Sequence, residues 1–124
     1  MDSLNDTIAA ILEFRDERDW AQFHTPRHLA AALAVEAAEL QETMLWKSDQ
    51  EIADLLRSLS GRTDVSREIA DVLIFALLFC HSVGLDPLAS IRSKLEENAR
   101  KYPPELAKGS AKKYSQLPPS PGKP

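Results

Sequence analysis

The longest apolar run in the chain is VLIFALLFC, from Val72 to Cys80, and only a fold that covers such a segment can accommodate it. The run is too short to cross a bilayer. Strand signals are weak, because β-branched residues are scattered and apolar and polar residues do not alternate. We therefore interpret the run as part of a long apolar helix from about Val65 to Val83, which Gly84 is placed to end.

Two helices are predicted near the N-terminus. Residues 3–19 have apolar side chains at helical spacing and are interpreted as a first helix, which WAQFHTP then interrupts. Thr25 and Pro26 have the residue types of an N-cap and a first helical position. They predict a second helix that runs to about Lys47.

A short helix is predicted between the second helix and the long apolar one. Ser48 and Glu51 form a capping-box pattern, which begins a helix that ends near Leu59. The following SGRTD is interpreted as a loop around Gly61.

The last helix is predicted to begin at Asp86-Pro87, and Pro103-Pro104 must stop it. The chain is thus predicted to be all-α, with a helical domain over residues 1–103. Residues 104–124 are predicted to form an extended or disordered tail, because they are rich in Pro, Gly, Ser and Lys. Helices this apolar in a chain this short also indicate that some faces are buried in an oligomer.

Composition limits the class of protein. The chain is 44% hydrophobic and 27% charged, which is typical of a soluble globular protein of one domain. The single cysteine, Cys80, excludes a disulfide framework and a cysteine-based zinc site. The N-terminus has no signal-peptide pattern, so we expect a cytoplasmic protein without a membrane partner.

Charge is unevenly distributed along the chain. Residues 1–91 carry seven basic and sixteen acidic residues, a net charge of −9, whereas residues 92–124 carry eight and three, a net charge of +5. A duplex-binding protein would usually have a continuous basic surface, so no nucleic-acid partner is expected. The segregation suits a site for metal plus phosphate, but it also suits a solvated acidic surface with a basic tail.

The second predicted helix contains three glutamates among apolar residues, in the segment AVEAAELQETMLW. Glu36, Glu39 and Glu42 are three residues apart, so they lie near one face of the helix and repel one another. Either that face is in contact with water, or a positive charge lies against it.

A second acidic pair, Glu68 and Asp71, lies near the start of the most apolar helix. An unpaired carboxylate in a helical core costs several kcal/mol, so it has to be neutralised or matched. If the pair faces Glu36 and Glu39, four oxygen ligands converge, and such ligands suit Mg²⁺ or Mn²⁺. The alternative is that both pairs are solvated acids with local salt bridges. A di-iron site is disfavoured, because neither pair belongs to a Glu-x-x-His motif.

Four further residues are candidates for substrate binding. Trp46, seven residues after Glu39, is expected on the same face of the second helix, and Phe75 is expected on the face of Asp71; aromatic planes there could stack on a nucleobase. Lys94 and Asn98 are four residues apart and could hold phosphate oxygens. The alternative is that the aromatic side chains are core residues and that the basic residues complement a helix dipole.

The chain resembles the MazG-like all-α nucleoside triphosphate pyrophosphohydrolases, and is most similar to their dCTP pyrophosphatase group. The resemblance covers roughly residues 12 to 117. It depends on FRDERDWAQFHTPRHLAAALAVEAAELQE, LWK, EIADVLIFALL, KLEENARKYP and AKKYSQLP. The pattern of the family is Glu-x-x-Glu, then Glu-x-x-Asp one helix later, then Lys-x-x-x-Asn, and all three occur here in order.

The resemblance implies an antiparallel four-helix bundle of the MazG-like type with an extra short helix. It implies Mg²⁺-dependent hydrolysis of dCTP or a 5-modified dCTP between the α- and β-phosphates, which would cleanse the nucleotide pool. It also implies a homo-tetramer built from dimers.

The resemblance implies roles for individual residues as well. The matching metal ligands are Glu36, Glu39, Glu68 and Asp71. Glu39 or Glu36 would orient or deprotonate the attacking water. The matching substrate contacts are Trp20, His24, Trp46, Phe75, Lys94 and Asn98. Phe75 departs from the group, which often has Tyr there, and this leaves sugar discrimination open.

Two alternatives remain from the sequence. One is a pyrophosphohydrolase of another nucleoside triphosphate, such as dUTP. The other is a non-catalytic helical assembly protein whose acids are solvated and whose basic tail docks a partner.

Overall fold

The protein is all-α, as predicted. The computed structural model describes residues 3–118, and within them it contains helices and turns but no strand. The α-helices are α1 (Leu4–Glu17), α2 (Pro26–Glu42), α3 (Asp49–Arg57), α4 (Leu59–Ser82), α5 (Pro87–Lys101) and α6 (Pro104–Ala107). Short 3₁₀ turns span Ala21–Phe23 and Tyr114–Gln116.

The predicted start of α2 is confirmed by its cap. The Thr25 hydroxyl accepts a hydrogen bond from the backbone N–H of His28 at 3.3 Å, and Pro26 occupies the first helical position. Pro fits there because the N–H that it lacks would have no partner within the helix.

The predicted capping box of α3 is also confirmed. The Ser48 hydroxyl accepts a hydrogen bond from the Glu51 N–H, and the Glu51 carboxylate accepts one from the Ser48 N–H, both at 3.2 Å. Two otherwise unpaired donors of the helix N-terminus are thereby satisfied.

The predicted end of the second helix is wrong. Helix α2 ends at Glu42 rather than near Lys47, and residues 43–46 form turns. Trp46 has a φ of 63°, which is outside the helical region and unusual for a residue with a side chain. The expectation that Trp46 shares a helical face with Glu39 is therefore wrong too.

The predicted loop around Gly61 is wrong as well, because α4 already begins at Leu59. Ser58 is both the C-cap of α3 and the N-cap of α4, and its hydroxyl accepts a hydrogen bond from the Gly61 N–H at 3.0 Å. Gly61 is buried, and a Cβ there would collide with the carbonyl oxygen and side chain of Leu55. The glycine thus allows the close approach of α3 to the start of α4.

The chain divides into two compact units, Met1–Leu85 and Asp86–Pro124. In the first unit α4 packs against α2, α3 and α1, with Leu29 of α2 and Leu78 of α4 buried. The C-terminal end of its long helix agrees with expectation, since Gly84, with a φ of 71°, follows the last turn of α4, whereas the helix begins at Leu59 and not near Val65.

The second unit contains α5, α6 and the Tyr114–Gln116 turn. Helix α5 begins as predicted, because the Asp86 side chain accepts a hydrogen bond from the Ala89 N–H at 3.1 Å and Pro87 follows the cap. The predicted division at residue 103 stays a prediction. Residues 119–124 of the predicted tail lie outside the described residues.

Between residues 3 and 118, no single helix is long and apolar enough to cross a membrane. Helices α4 and α5 reach the length and apolar composition of a membrane span only when the two are counted together as one bent pair.

Candidate metal centre

Two helices that pack against each other bring the glutamates together. Glu36 and Glu39 lie on α2, Glu68 lies on α4, and these helices form the main contact of the first unit. One carboxylate oxygen from each of the three residues lies within 4.8 Å of the other two. Residues three apart on a helix share a face, so the spacing of the α2 pair aims both side chains at α4.

The fourth predicted ligand, Asp71, is one turn further along α4. Its side chain is exposed, and its oxygens are not among those that cluster. Its negative charge nevertheless contributes to the raised pKa of both Glu36 and Glu68, so it belongs to the same electrostatic environment. The structure therefore brings three predicted acids into one cluster and places Asp71 beside it.

The cluster raises the pKa of Glu36 and of Glu68, because burial and repulsion by neighbouring acids both favour the protonated form. Burial is the largest cause at Glu36, followed by a hydrogen bond with Glu39 and the charges of the neighbouring acids; together they raise its pKa to about 7. The pKa of Glu68 is also raised, first by burial and then by the charge of Glu39. Near neutral pH the cluster thus holds a proton that a cation could displace.

Two buried oxygens of the cluster have no hydrogen-bond partner. They are Oε2 of Glu36 and Oε2 of Glu68, within the part of the chain that the structure describes. A buried oxygen without a partner carries its full desolvation cost. Carboxylate oxygens that converge without donors are the ligands that a hard divalent cation takes. The residues present therefore fit a magnesium or manganese ion.

Glu42, whose place was left open by the sequence, is exposed at the end of α2. Its negative charge contributes to the raised pKa of Glu68, although less than the charge of Glu39. Glu42 therefore adds negative charge near the cluster but contributes no oxygen to it.

Trp20 and His24 flank the 3₁₀ turn that follows α1. The Trp20 ring meets the Phe14 ring edge-on, with centroids 5.8 Å apart, and the Arg18 guanidinium lies 3.7 Å from the centre of the Phe14 ring. Sequence reasoning missed this contact; Phe14 lies in the last turn of α1 and Arg18 is its C-cap, and their spacing of four is the signal that could have found it.

The imidazole of His24 is partly buried, and its Nδ1 has no hydrogen-bond partner within residues 3–118. Burial lowers the pKa of His24, and the positive charge of Arg15 lowers it further. The ring is thus kept neutral, with one buried nitrogen available to a ligand.

The remaining predicted substrate contacts are spread over three elements. Trp46 is 92% exposed in the turn after α2, and Phe75 is half-buried on α4 one turn after Asp71. Lys94 and Asn98 lie on α5, in the second unit, where Lys94 donates a hydrogen bond to Glu97 at 3.1 Å.

The all-α fold with converging glutamates from two helices defines the class of protein. Residues 31–117 match the MazG-like family, and the chain belongs to that family. The resemblance drawn from the sequence is confirmed.

Individual relatives sharpen this assignment. The chain is 39% identical to dCTP pyrophosphatase 1 of Homo sapiens over 116 residues, which cover 94% of this chain and 68% of that protein. It is 38% identical to dCTP pyrophosphatase 1 of Bos taurus, over 94% of this chain and 69% of that protein. A pyrophosphatase of Archaeoglobus fulgidus has a similar crystal structure, with a TM-score of 0.74 and 39% identity over 81% of this chain and 92% of that one.

Proposed function

We propose that the protein is a metal-dependent nucleotide pyrophosphohydrolase that acts on dCTP or a 5-modified dCTP. It cleaves the bond between the α- and β-phosphates and releases the nucleoside monophosphate and pyrophosphate, which removes unwanted nucleotides from the pool. The observation that carries the proposal is the cluster of three glutamates with two unpartnered buried oxygens. The similarity to dCTP pyrophosphatases supports the choice of dCTP as the substrate.

Glu36, Glu39 and Glu68 hold Mg²⁺, and Asp71 beside them supplies a further carboxylate; Mn²⁺ substitutes. When bound, the metal neutralises the negative charge that develops on the phosphates during cleavage. The Glu36 carboxyl group would lose its proton when the metal binds, because ligands must be deprotonated.

The attacking water needs a group that orients it and takes its proton. Glu39 or Glu36 fills this role. For Glu36 the raised pKa supports it, since a carboxylate whose pKa lies near neutrality accepts a proton more readily than an ordinary one. The proton of the water passes to that carboxylate as the water oxygen bonds to phosphorus and the P–O bond of the α–β bridge breaks, which separates the monophosphate from pyrophosphate.

The other predicted residues bind and position the substrate. Lys94 and Asn98 hold phosphate oxygens, and Trp20, His24 and Trp46 contact the base and sugar. Phe75 contributes a ring without a hydroxyl, so it cannot donate a hydrogen bond to the sugar. Positioning of this kind lowers the barrier by fixing the reacting atoms in place.

We further propose that the enzyme is a homo-tetramer built from dimers. Support comes from large apolar side chains that the single chain leaves exposed: Val35 at 56%, Leu73 at 56% and Leu59 at 85%. Such faces are usually buried against a partner. A cytoplasmic location, without nucleic-acid or membrane partners, is part of the same proposal.

The test is a product analysis. The purified protein is incubated with Mg²⁺ and, separately, dCTP, 5-methyl-dCTP, dTTP, dUTP, dATP and CTP, and the products are resolved by chromatography. We expect monophosphate and pyrophosphate, formed fastest from the deoxycytidine compounds.

The other outcomes of this panel are equally informative. The same products formed fastest from another base would keep the reaction and overturn the substrate. Diphosphate and orthophosphate would overturn the bond assignment. No product from folded, metal-loaded protein would favour a helical assembly protein.

A further inference from the structure

A single carboxylate on α5 binds two lysines at once. Oε2 of Glu97 accepts a hydrogen bond from Lys94 Nζ at 3.1 Å, and Oε1 of Glu97 pairs with Lys101 Nζ at 2.9 Å. The spacings of three and four residues place all three side chains on one face of the helix. The two lysines lower the pKa of Glu97, Lys101 first, so it is ionised at neutral pH.

The two lysines are held differently. Lys101 has a second partner, because its Nζ lies 4.8 Å from the centre of the Tyr114 ring, and Tyr114 meets Tyr102 edge-on at 6.1 Å. The Lys101 side chain is 33% exposed. Within residues 3–118, Lys94 pairs with Glu97 alone, and its side chain is 58% exposed. Lys101 is therefore the fixed partner of Glu97, and Lys94 is the partner that can leave.

We propose that Glu97 is a positioning residue that competes with the triphosphate for Lys94 and so weakens substrate binding. The inference depends on the proposed function, in which Lys94 binds phosphate. In the free protein Lys94 pairs with Glu97. When phosphate oxygens arrive, Lys94 turns to them and Glu97 remains paired with Lys101.

This exchange costs little, because the Glu97 carboxylate keeps a cation when Lys94 leaves. An exposed ion pair contributes only a small free energy, so a triphosphate can displace it. The negative charge of Glu97 nevertheless repels the phosphates, and Glu97 stays paired with Lys94 between turnovers. Its removal should therefore tighten phosphate binding rather than loosen it.

The experiment compares E97Q with E96Q in the full chain. Glu96 is the neighbouring residue on α5, is exposed and takes part in no ion pair within residues 3–118, so E96Q makes the same change of net charge without touching Lys94. We expect E97Q to lower KM for dCTP by about two- to fivefold relative to E96Q, with kcat unchanged. Equal KM values for the two variants, or a higher KM for E97Q, would overturn the proposal.

A second measurement does not need turnover. Binding of inorganic tripolyphosphate, followed by calorimetry, should be tighter to E97Q than to E96Q by the same factor. The difference should vanish when both variants also carry K94Q. A difference that survives K94Q would mean that Lys101 is the phosphate ligand and would overturn the assignment.

These two readouts separate the inference from the proposed function. If no nucleotide is hydrolysed but tripolyphosphate binding follows the predicted order, the proposed function fails and the competition at Lys94 stands. If hydrolysis occurs but E97Q and E96Q behave alike in both assays, the competition fails and the proposed function stands. If neither wild type nor E97Q binds tripolyphosphate, the competition fails as well.

Discussion

The carboxylates between α2 and α4 and the carboxylate of Glu97 on α5 are in opposite electrostatic surroundings. The first group contains like charges, partly buried, without a cation among the described residues. The Glu97 side chain is partly exposed, and the Nζ atoms of two lysines lie within 3.1 Å of its carboxylate oxygens. Accordingly the pKa of Glu36 is raised to about 7, whereas the pKa of Glu97 is lowered.

The comparison shows what each arrangement can do. A carboxylate that already has its cations is stable as it stands, and it exchanges partners at small cost. A partly buried cluster of like charges without a cation stores unfavourable free energy, which a metal ion relieves on binding. The sites should therefore differ most when metal, pH or single charges are changed.

The largest effect is expected from removing one of the acids proposed to hold the metal, either Glu39 in the cluster or Asp71 beside it. E39Q and D71N should each lower kcat by about a hundredfold or more, because an amide neither balances the metal charge nor accepts a proton from water. Turnover under saturating Mg²⁺ and dCTP is the measurement, with helicity followed by circular dichroism.

E42Q is the matched control for this experiment. It removes a charge from the same helix without removing an oxygen of the cluster, so most of the activity should remain. Near-normal activity in E39Q or D71N would refute the metal assignment.

The next effect is on metal affinity as a function of pH. Glu36 must lose its proton to bind metal, so Mg²⁺ affinity should fall by up to about tenfold per pH unit below pH 7 and level off above it. Calorimetric titration of the protein with Mg²⁺ from pH 5.5 to 8 measures this. Affinity that does not change over this range would show that the cluster holds no proton near neutrality.

A smaller effect is expected on the stability of the metal-free protein. The pKa of Glu36 in the folded chain is about 7 against an ordinary value of 4.5, so the folded state binds more protons than the unfolded state between these values. Stability from this group is fully present below pH 4.5 and is lost as pH rises to about 7.

Urea unfolding with chelator at several pH values measures this loss. E36Q, which cannot ionise, should flatten the curve, and saturating Mg²⁺ should restore the stability at pH 7 and above. A wild-type curve that rises between pH 4.5 and 7 would contradict the raised pKa.

The smallest effect is expected at Glu97. E97Q should change the melting temperature by no more than about 2 °C, because both ion pairs are exposed, and the change should shrink further in 0.5 M NaCl. Thermal unfolding of E97Q and E96Q in low and high salt gives the answer. A large, salt-independent loss would mean that Glu97 supports the fold and not only Lys94.

Much of this molecule could be predicted from local patterns. The Thr25-Pro26 start, the Ser48–Glu51 box and the glycine after α4 are signals within a few residues, and local chemistry decided all three. The convergence of Glu68 with Glu36 and Glu39 could be predicted only as a condition, because it depends on which faces of α2 and α4 pack together.

The errors arose where tertiary packing outweighs local preference. Gly61 reads as a loop residue because glycine is a poor helix former, yet it lies inside α4, where only a hydrogen fits against Leu55. Helix α2 was extended too far because nothing in TMLWK breaks a helix as Gly or Pro would. Glu97 was overlooked although its spacing from Lys94 and Lys101 is visible in the sequence.

Trp46 has a consequence for optical spectroscopy. An indole that is 92% exposed emits fluorescence in an aqueous environment, and the chain has only one other tryptophan, Trp20. Any partner that covers Trp46, whether a stacked base or a second copy of the chain, removes water from the ring and shifts its emission to shorter wavelength or quenches it. The fluorescence of Trp46 therefore reports binding at that turn without an added dye.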